Sequence, residues 1–189
     1  GFTIIFFIAF VSRLISWKFL TKMYEPMLVI KEEHRFTFTD FMKRIRKTNF
    51  GSFAVFVACM NFGVYVSAPF LTVYMLRDLK FDYMTYTIVV LAATVTSLLF
   101  MHIWGRHADH VGNLKIIKLS SKFVALVPLL WLVSPSVIYL VGVQIFAGFF
   151  WAGFNLGVTN FMYYAVTPEK RTRCVAYFNV TVWFVYMPI

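Results

Sequence analysis

Charge is what this sequence has least of. Only 14% of its 189 residues are Asp, Glu, Lys or Arg, where a water-soluble domain carries about 25%. A surface facing water cannot be built from so few charges, whereas one facing lipid needs hardly any. Acidic residues are the scarcest, with 8 against 18 basic ones. Cysteine is nearly missing: Cys59 sits in an apolar stretch and Cys174 follows a basic turn. There is no disulfide framework, and both read as small apolar packing residues. The sequence has no Gly-rich phosphate loop, which leaves an ATP-driven pump without support. The opening Gly1-Phe2-Thr3-Ile4 has no initiator Met and no basic n-region, so it is not a signal peptide. The other end, Val185-Tyr186-Met187-Pro188-Ile189, is still apolar, and the chain reads as a fragment.

Apolar residues are plentiful, at 60%, with aromatics at 20%. The net charge of +10 could suggest nucleic acid as a partner. The distribution argues against it, because Lys and Arg fall in short blocks between long uncharged runs. A helix needs about 20 largely apolar residues to cross about 30 Å of hydrocarbon. The uncharged runs are 1–12, 48–76, 83–105, 123–168 and 174–189. The run 123–168 is too long for one crossing, and Ser134-Pro135-Ser136 inside it is a turn signal. The expected architecture is therefore all-α: a polytopic transmembrane helical bundle with six spans at about 2–22, 50–76, 84–104, 117–133, 136–165 and from 174 onward. In the first span Arg13, Lys18 and Lys22 are expected to snorkel beside Trp17 at the interface.

Positive charge sets the orientation. Segments 13–49, 105–122 and 166–173 hold 16 of the 18 cationic residues. The alternate connections hold Arg77 and Lys80, offset by Asp78 and Asp82, and none at 134–136. The three basic segments are expected on the cytoplasmic side. The longest connection, 23–49, contains Phe41-Met42-Lys43-Arg44-Ile45, apolar on one side and basic on the other, after Thr39-Asp40 as a helix cap. It reads either as a short helix on the cytoplasmic leaflet or as a solvated linker.

Two of the basic segments carry recognisable markers. Gly105-Arg106-His107-Ala108-Asp109-His110-Val111-Gly112-Asn113-Leu114-Lys115 resembles the signature loop of the major facilitator superfamily, between the second and third helices of each six-helix half. Gly105, Asp109, Gly112 and Lys115 match its pattern, while His110 and Leu114 stand where the family has basic residues. Pro168-Glu169-Lys170-Arg171-Thr172-Arg173 resembles the family's loop between the fourth and fifth helices. The resemblance implies the sixth helix at 1–22, the central cytoplasmic loop at 23–49, and helices seven to eleven of the C-terminal half at 50–189. It also implies that the twelfth helix and most of the N-terminal half lie outside this chain. The function it implies is secondary active transport of a small solute by alternating access in the cell membrane, with no cofactor and no enzymatic activity. The lipid bilayer, the solute and the missing N-terminal half would be the partners.

The same resemblance implies a cytoplasmic gate formed by Gly105, Arg106, Asp109, Gly112 and Lys115 with Glu169, Arg171 and Arg173. Asp109 would accept hydrogen bonds from the N-terminus of the last helix, where the macrodipole favours an anion. The alternative is that Asp109 caps its own loop. A substrate cavity would be lined by the first helix of each three-helix repeat. At about 100° per residue, Gln144, Gly148, Ala152, Asn155 and Thr159 share one face, and so do Asn61, Tyr65, Ala68 and Thr72. Such a stripe is either a cavity wall or helix–helix glue, since Gly153 and Gly157 form a small-xxx-small pair. No Asp or Glu falls in any expected span, so neither coupling ion nor substrate is legible. Two other classes remain: a non-transporting receptor or channel-like bundle, and a metalloenzyme using His102, His107, His110 and Asp109.

Overall fold

A computed structural model describes residues 2–24, 37–45 and 48–184. It divides into Gly1–Glu33 and His34–Ile189. The first unit contains α1 (Phe2–Leu20), in which polar residues are few and gathered on no one face. A helix with no polar face has no side suited to water. Its basic residues Arg13 and Lys18 lie in its second half.

The second unit contains α2 (Phe38–Arg44), α3 (Asn49–Val73), a π-helical turn (Tyr74–Asp78), α4 (Tyr83–Val111), α5 (Asn113–Leu130), α6 (Val137–Tyr164) and α7 (Pro168–Phe184). Among the described residues there is no strand. Among the described residues four helical stretches are long and apolar enough to cross a membrane: Thr3–Leu20, Asn49–Asp78, Tyr83–Val111 and Val137–Tyr164. The other two expected spans fall on α5 and α7, which do not reach that standard. Lys115, Lys118 and Lys122 occupy the first turns of α5, and Lys170, Arg171 and Arg173 the first turns of α7. The outward surface fits the same reading: Leu98, Leu99 and Ile138 are 69%, 63% and 86% exposed. Large side chains of this kind face water only at a cost.

Helix ends follow local chemistry. Asp82 caps α4 by accepting from the backbone N–H of Thr85 at 3.3 Å. Hydrogen bonding from Thr85 holds the Asp82 carboxyl below the ordinary carboxylate range. The cap of α2 is Thr37, two residues before the expected Thr39-Asp40. Its side chain accepts from the Asp40 N–H while the Asp40 carboxylate accepts from the Thr37 N–H, a reciprocal capping box. Seven residues are too few for a stable helix in isolation. Tertiary packing supplies the rest: Phe41 and Ile45 are each 8% exposed, and the Phe41 ring lies 6.2 Å from Phe50 and 5.7 Å from Tyr177. The apolar side of α2 therefore rests on α3 and α7.

α6 is the centre of the second unit, packing most extensively on α4 and α5. Trp104 of α4 is 5% exposed and clusters with Ala108, Ile116 and Ala152. Near the other end Val89, Trp131, Leu140 and Val143 pack around Met75 of the π turn. A third cluster joins Phe53, Ala54, Val57 and Ala58 of α3 to Ile117, Phe154, Phe178 and Val182. Glycine sets the α5–α6 approach. A Cβ on Gly153 would sit 2.6 Å from Ser120 Oγ, and one on Gly157 2.8 Å from Ile117 Cγ1.

Candidate functional site

The segment expected to be the gate loop is almost entirely helix. α4 runs on through Gly105, Arg106 and Asp109 to Val111, and α5 starts at Asn113. At 1.5 Å per residue, α4 is about 44 Å long, well beyond the hydrocarbon thickness. The charges at 106–110 mark where a membrane would end, and the helix continues past it. The whole turn is one residue, Gly112, with φ 88° and ψ 145°. Its N–H donates to the Ala108 carbonyl at 2.9 Å, and its own carbonyl accepts from Lys115 at 3.2 Å. That backbone region is close to glycine-only.

The two glycines of the motif therefore do different things. Gly105 lies inside α4, where a Cβ would meet only Leu156 Cδ2 at 3.8 Å, whereas Gly112 has open space but a forbidding φ. Gly105→Ala should be neutral or stabilising by up to about 1 kcal/mol. Gly112→Ala should destabilise by about 1–3 kcal/mol. Thermal melts of the two variants in detergent check this, and equal melting temperatures would show that the turn carries no strain.

Asp109, Arg106 and Lys115 are exposed around this turn, and Asp109 has no hydrogen-bond or ion-pair partner among the described residues. α7 starts at Pro168, six residues before the expected Cys174, so Arg171 and Arg173 lie within the helix. Pro168 suits that first helical position, where no backbone N–H is needed. Arg171 turns back to the hairpin: its Nη2 donates to the Tyr163 carbonyl at 3.1 Å, and its Cζ lies 5.6 Å from the Tyr163 ring centroid. It thereby ties the first turn of α7 to the last turn of α6. The Glu169 side chain lies outside the described residues, as do the structures of residues 25–36, 46–47 and 185–189.

The polar stripe on α6 is divided. Gly148 and Ala152 are buried against neighbouring helices, and a Cβ on Gly148 would strike the Ala93 carbonyl of α4. Gln144 is half-buried, and Asn155 and Thr159 are exposed. Gly153 and Gly157 stand two residues either side of Asn155, hence about 160° round the helix at about 100° per residue. The glycine glue and the exposed amide are on different faces. On α3, Asn61 Nδ2 donates to its own Val57 carbonyl at 2.8 Å and Thr72 Oγ1 to Ala68 at 3.5 Å, while Tyr65 is 46% exposed. Asn160 forms an inter-helix pair, Nδ2 donating to Asn113 Oδ1 at 3.4 Å. Sequence reasoning missed Asn113. Its one signal was its position immediately after the turn glycine. Among the described residues no three His, Cys, Asp or Glu side chains are grouped to hold a metal ion.

None of the curated proteins and none of the solved structures compared with the chain matches it. The model of the Major Facilitator Superfamily matches residues 1–189. With long apolar helices, a one-glycine turn at its marker and basic residues grouped around the helix ends, the chain belongs to the major facilitator superfamily of membrane transporters.

Proposed function

We propose that this chain contributes most of one half of a secondary active transporter, which carries a small solute across the cell membrane by alternating access. The observation that carries this is the family match over the full chain, joined to Asn155 and Thr159 exposed on the face of α6 away from Gly153 and Gly157. An amide on a membrane-crossing helix is costly unless protein or water faces it, and a cavity shared with the other half of the protein supplies both. Gln144, Asn61, Tyr65 and Thr72 extend that wall. The basic segments 23–49, 105–116 and 166–173 lie on the cytoplasmic side under this reading. Asp109, unpartnered in the conformation described, makes its closing contact with the α7 end in a second conformation, alongside Arg106, Lys115, Glu169 and Arg173.

One set of measurements on the full-length transporter tests it. Asn155→Leu should raise KM by roughly two- to tenfold, the worth of one net hydrogen bond, without lowering Tm. Asn160→Leu should do the reverse, because its amide bonds to Asn113. Asp109→Asn should slow transport and shift accessibility toward the cytoplasm-open state by about two- to fivefold, the effect of one charge at a helix end. Single cysteines at Lys118 and Ser136 should label from opposite sides. An Asn155 variant with normal KM and lower Tm would make the stripe a packing surface, and labelling of both cysteines from outside would invert the topology.

A further inference from the structure

A groove of about 560 Å³ lies where α2 rests on α3 and α7, lined by Met42, Lys43, Ile45, Val55, Cys59 and Phe62. That volume is within the range of small-molecule sites, about 300–1,000 Å³. Val55, Cys59 and Phe62 stand at i, i+4 and i+7 on α3 and form one continuous apolar strip. The strip is open: Val55 is 41% and Phe62 47% exposed. Its length is about 10 Å at 1.5 Å per residue, running inward from the α2 end.

Among the described residues the only charge in the lining is Lys43, which is exposed. No carboxylate among the described residues pairs with it. In the sequence it opens Lys43-Arg44-Ile45-Arg46-Lys47, four cations in five residues with no acid. Phe41 and Ile45 fix α2 from beneath, so Lys43 is held at the mouth by a packed helix. The charge at one end and the apolar strip running away from it match an anionic headgroup and its acyl chain. A zwitterionic lipid offers the same phosphate but offsets it with its own ammonium, so Lys43 favours a headgroup of net negative charge, while a free anion would leave the strip uncovered.

We infer that this groove binds one anionic phospholipid, phosphate at Lys43 and acyl chain along Val55, Cys59 and Phe62. It goes beyond the transport reading and shares with it only the placing of α2 at a membrane face. The occupant adds to the contacts of Phe41 and Ile45 that seat α2 on α3 and α7, so lipid composition acts on how firmly that helix is held.

The test uses the full-length protein in nanodiscs of phosphatidylserine or phosphatidylcholine, with retained lipid read by native mass spectrometry after transfer to detergent. The wild type should retain phosphatidylserine in preference. Lys43→Gln should reduce that preference roughly fivefold, the worth of one lysine at an anionic surface. Cys59→Trp, which fills the strip at an exposed position, should reduce retention of both lipids. Equal retention of the two lipids by wild type overturns the inference, as does unchanged preference in Lys43→Gln. Retention is read without reference to sidedness or flux, so its failure and that of the transport reading are separate results.

Discussion

Trp104→Ala is expected to cost about 3–5 kcal/mol, the range for removing a buried aromatic side chain. Trp104 is 5% exposed and lies between α4 and α6. Its ring centroid is 5.1 Å from that of Phe149 and 6.1 Å from that of Phe150, and its Nε1–H donates to the Phe149 carbonyl at 2.8 Å. Lipid tails are as apolar as the side chains, so the hydrophobic term that drives packing in water is weak here. What is lost is close packing and one buried hydrogen bond. Trp104→Phe separates them, since it keeps most of the volume and forfeits the bond, worth about 0.5–1.5 kcal/mol. The expected order of melting temperatures is wild type, Phe, then Ala, with the Ala variant lower by roughly 6–20 °C at about 2–4 °C per kcal/mol. A Trp104→Ala protein that melts with the wild type would mean that the α4–α6 contact is held elsewhere.

Gly148→Ala is the second. A methyl group there would collide with the backbone carbonyl of Ala93, and the Ala93 Cα and carbonyl carbon lie at 2.9 Å. Backbone cannot rotate away as a side chain can, so α4 and α6 must separate or shift in register. Overpacking of this kind costs about 1–3 kcal/mol, sometimes more. Gly142 lies on the same helix with nothing within 4 Å of its Cβ position. Gly142→Ala should be neutral or slightly stabilising, as expected when a helical glycine with free space gains a Cβ. Unfolding of both variants in detergent decides the matter. Equal stability of the two would show that α4 and α6 are not in backbone contact at Gly148.

Both effects depend on side chains of ordinary type placed by tertiary packing. The sequence places Gly148 on the polar stripe and Gly142 off it, but does not show that Gly148 meets the backbone of another helix while Gly142 has open space. Likewise Arg171 reads in the sequence as one of three cations in a gate segment, and only the hairpin shows it turned back onto Tyr163. Asn160 reads as off the stripe, and only the approach of α5 gives it Asn113 as a partner.

The sequence by itself determined the class of the molecule: long uncharged runs, scarce acids and clustered cations suit lipid, and two loop markers point to the family. These are properties of composition and spacing, which need no knowledge of neighbours. It also located the spans on α1, α3, α4 and α6 to within a few residues at most ends. It misplaced the ends of α4, α5 and α7, because charge marks where hydrocarbon stops and not where backbone hydrogen bonding stops. Asp109 therefore lies on a helix that outruns the membrane, and the turn contracts to Gly112. Tertiary structure alone decided which face of α6 is glue and which is open. Helical periodicity fixes only the angles between residues, and the identity of the facing helix enters through packing.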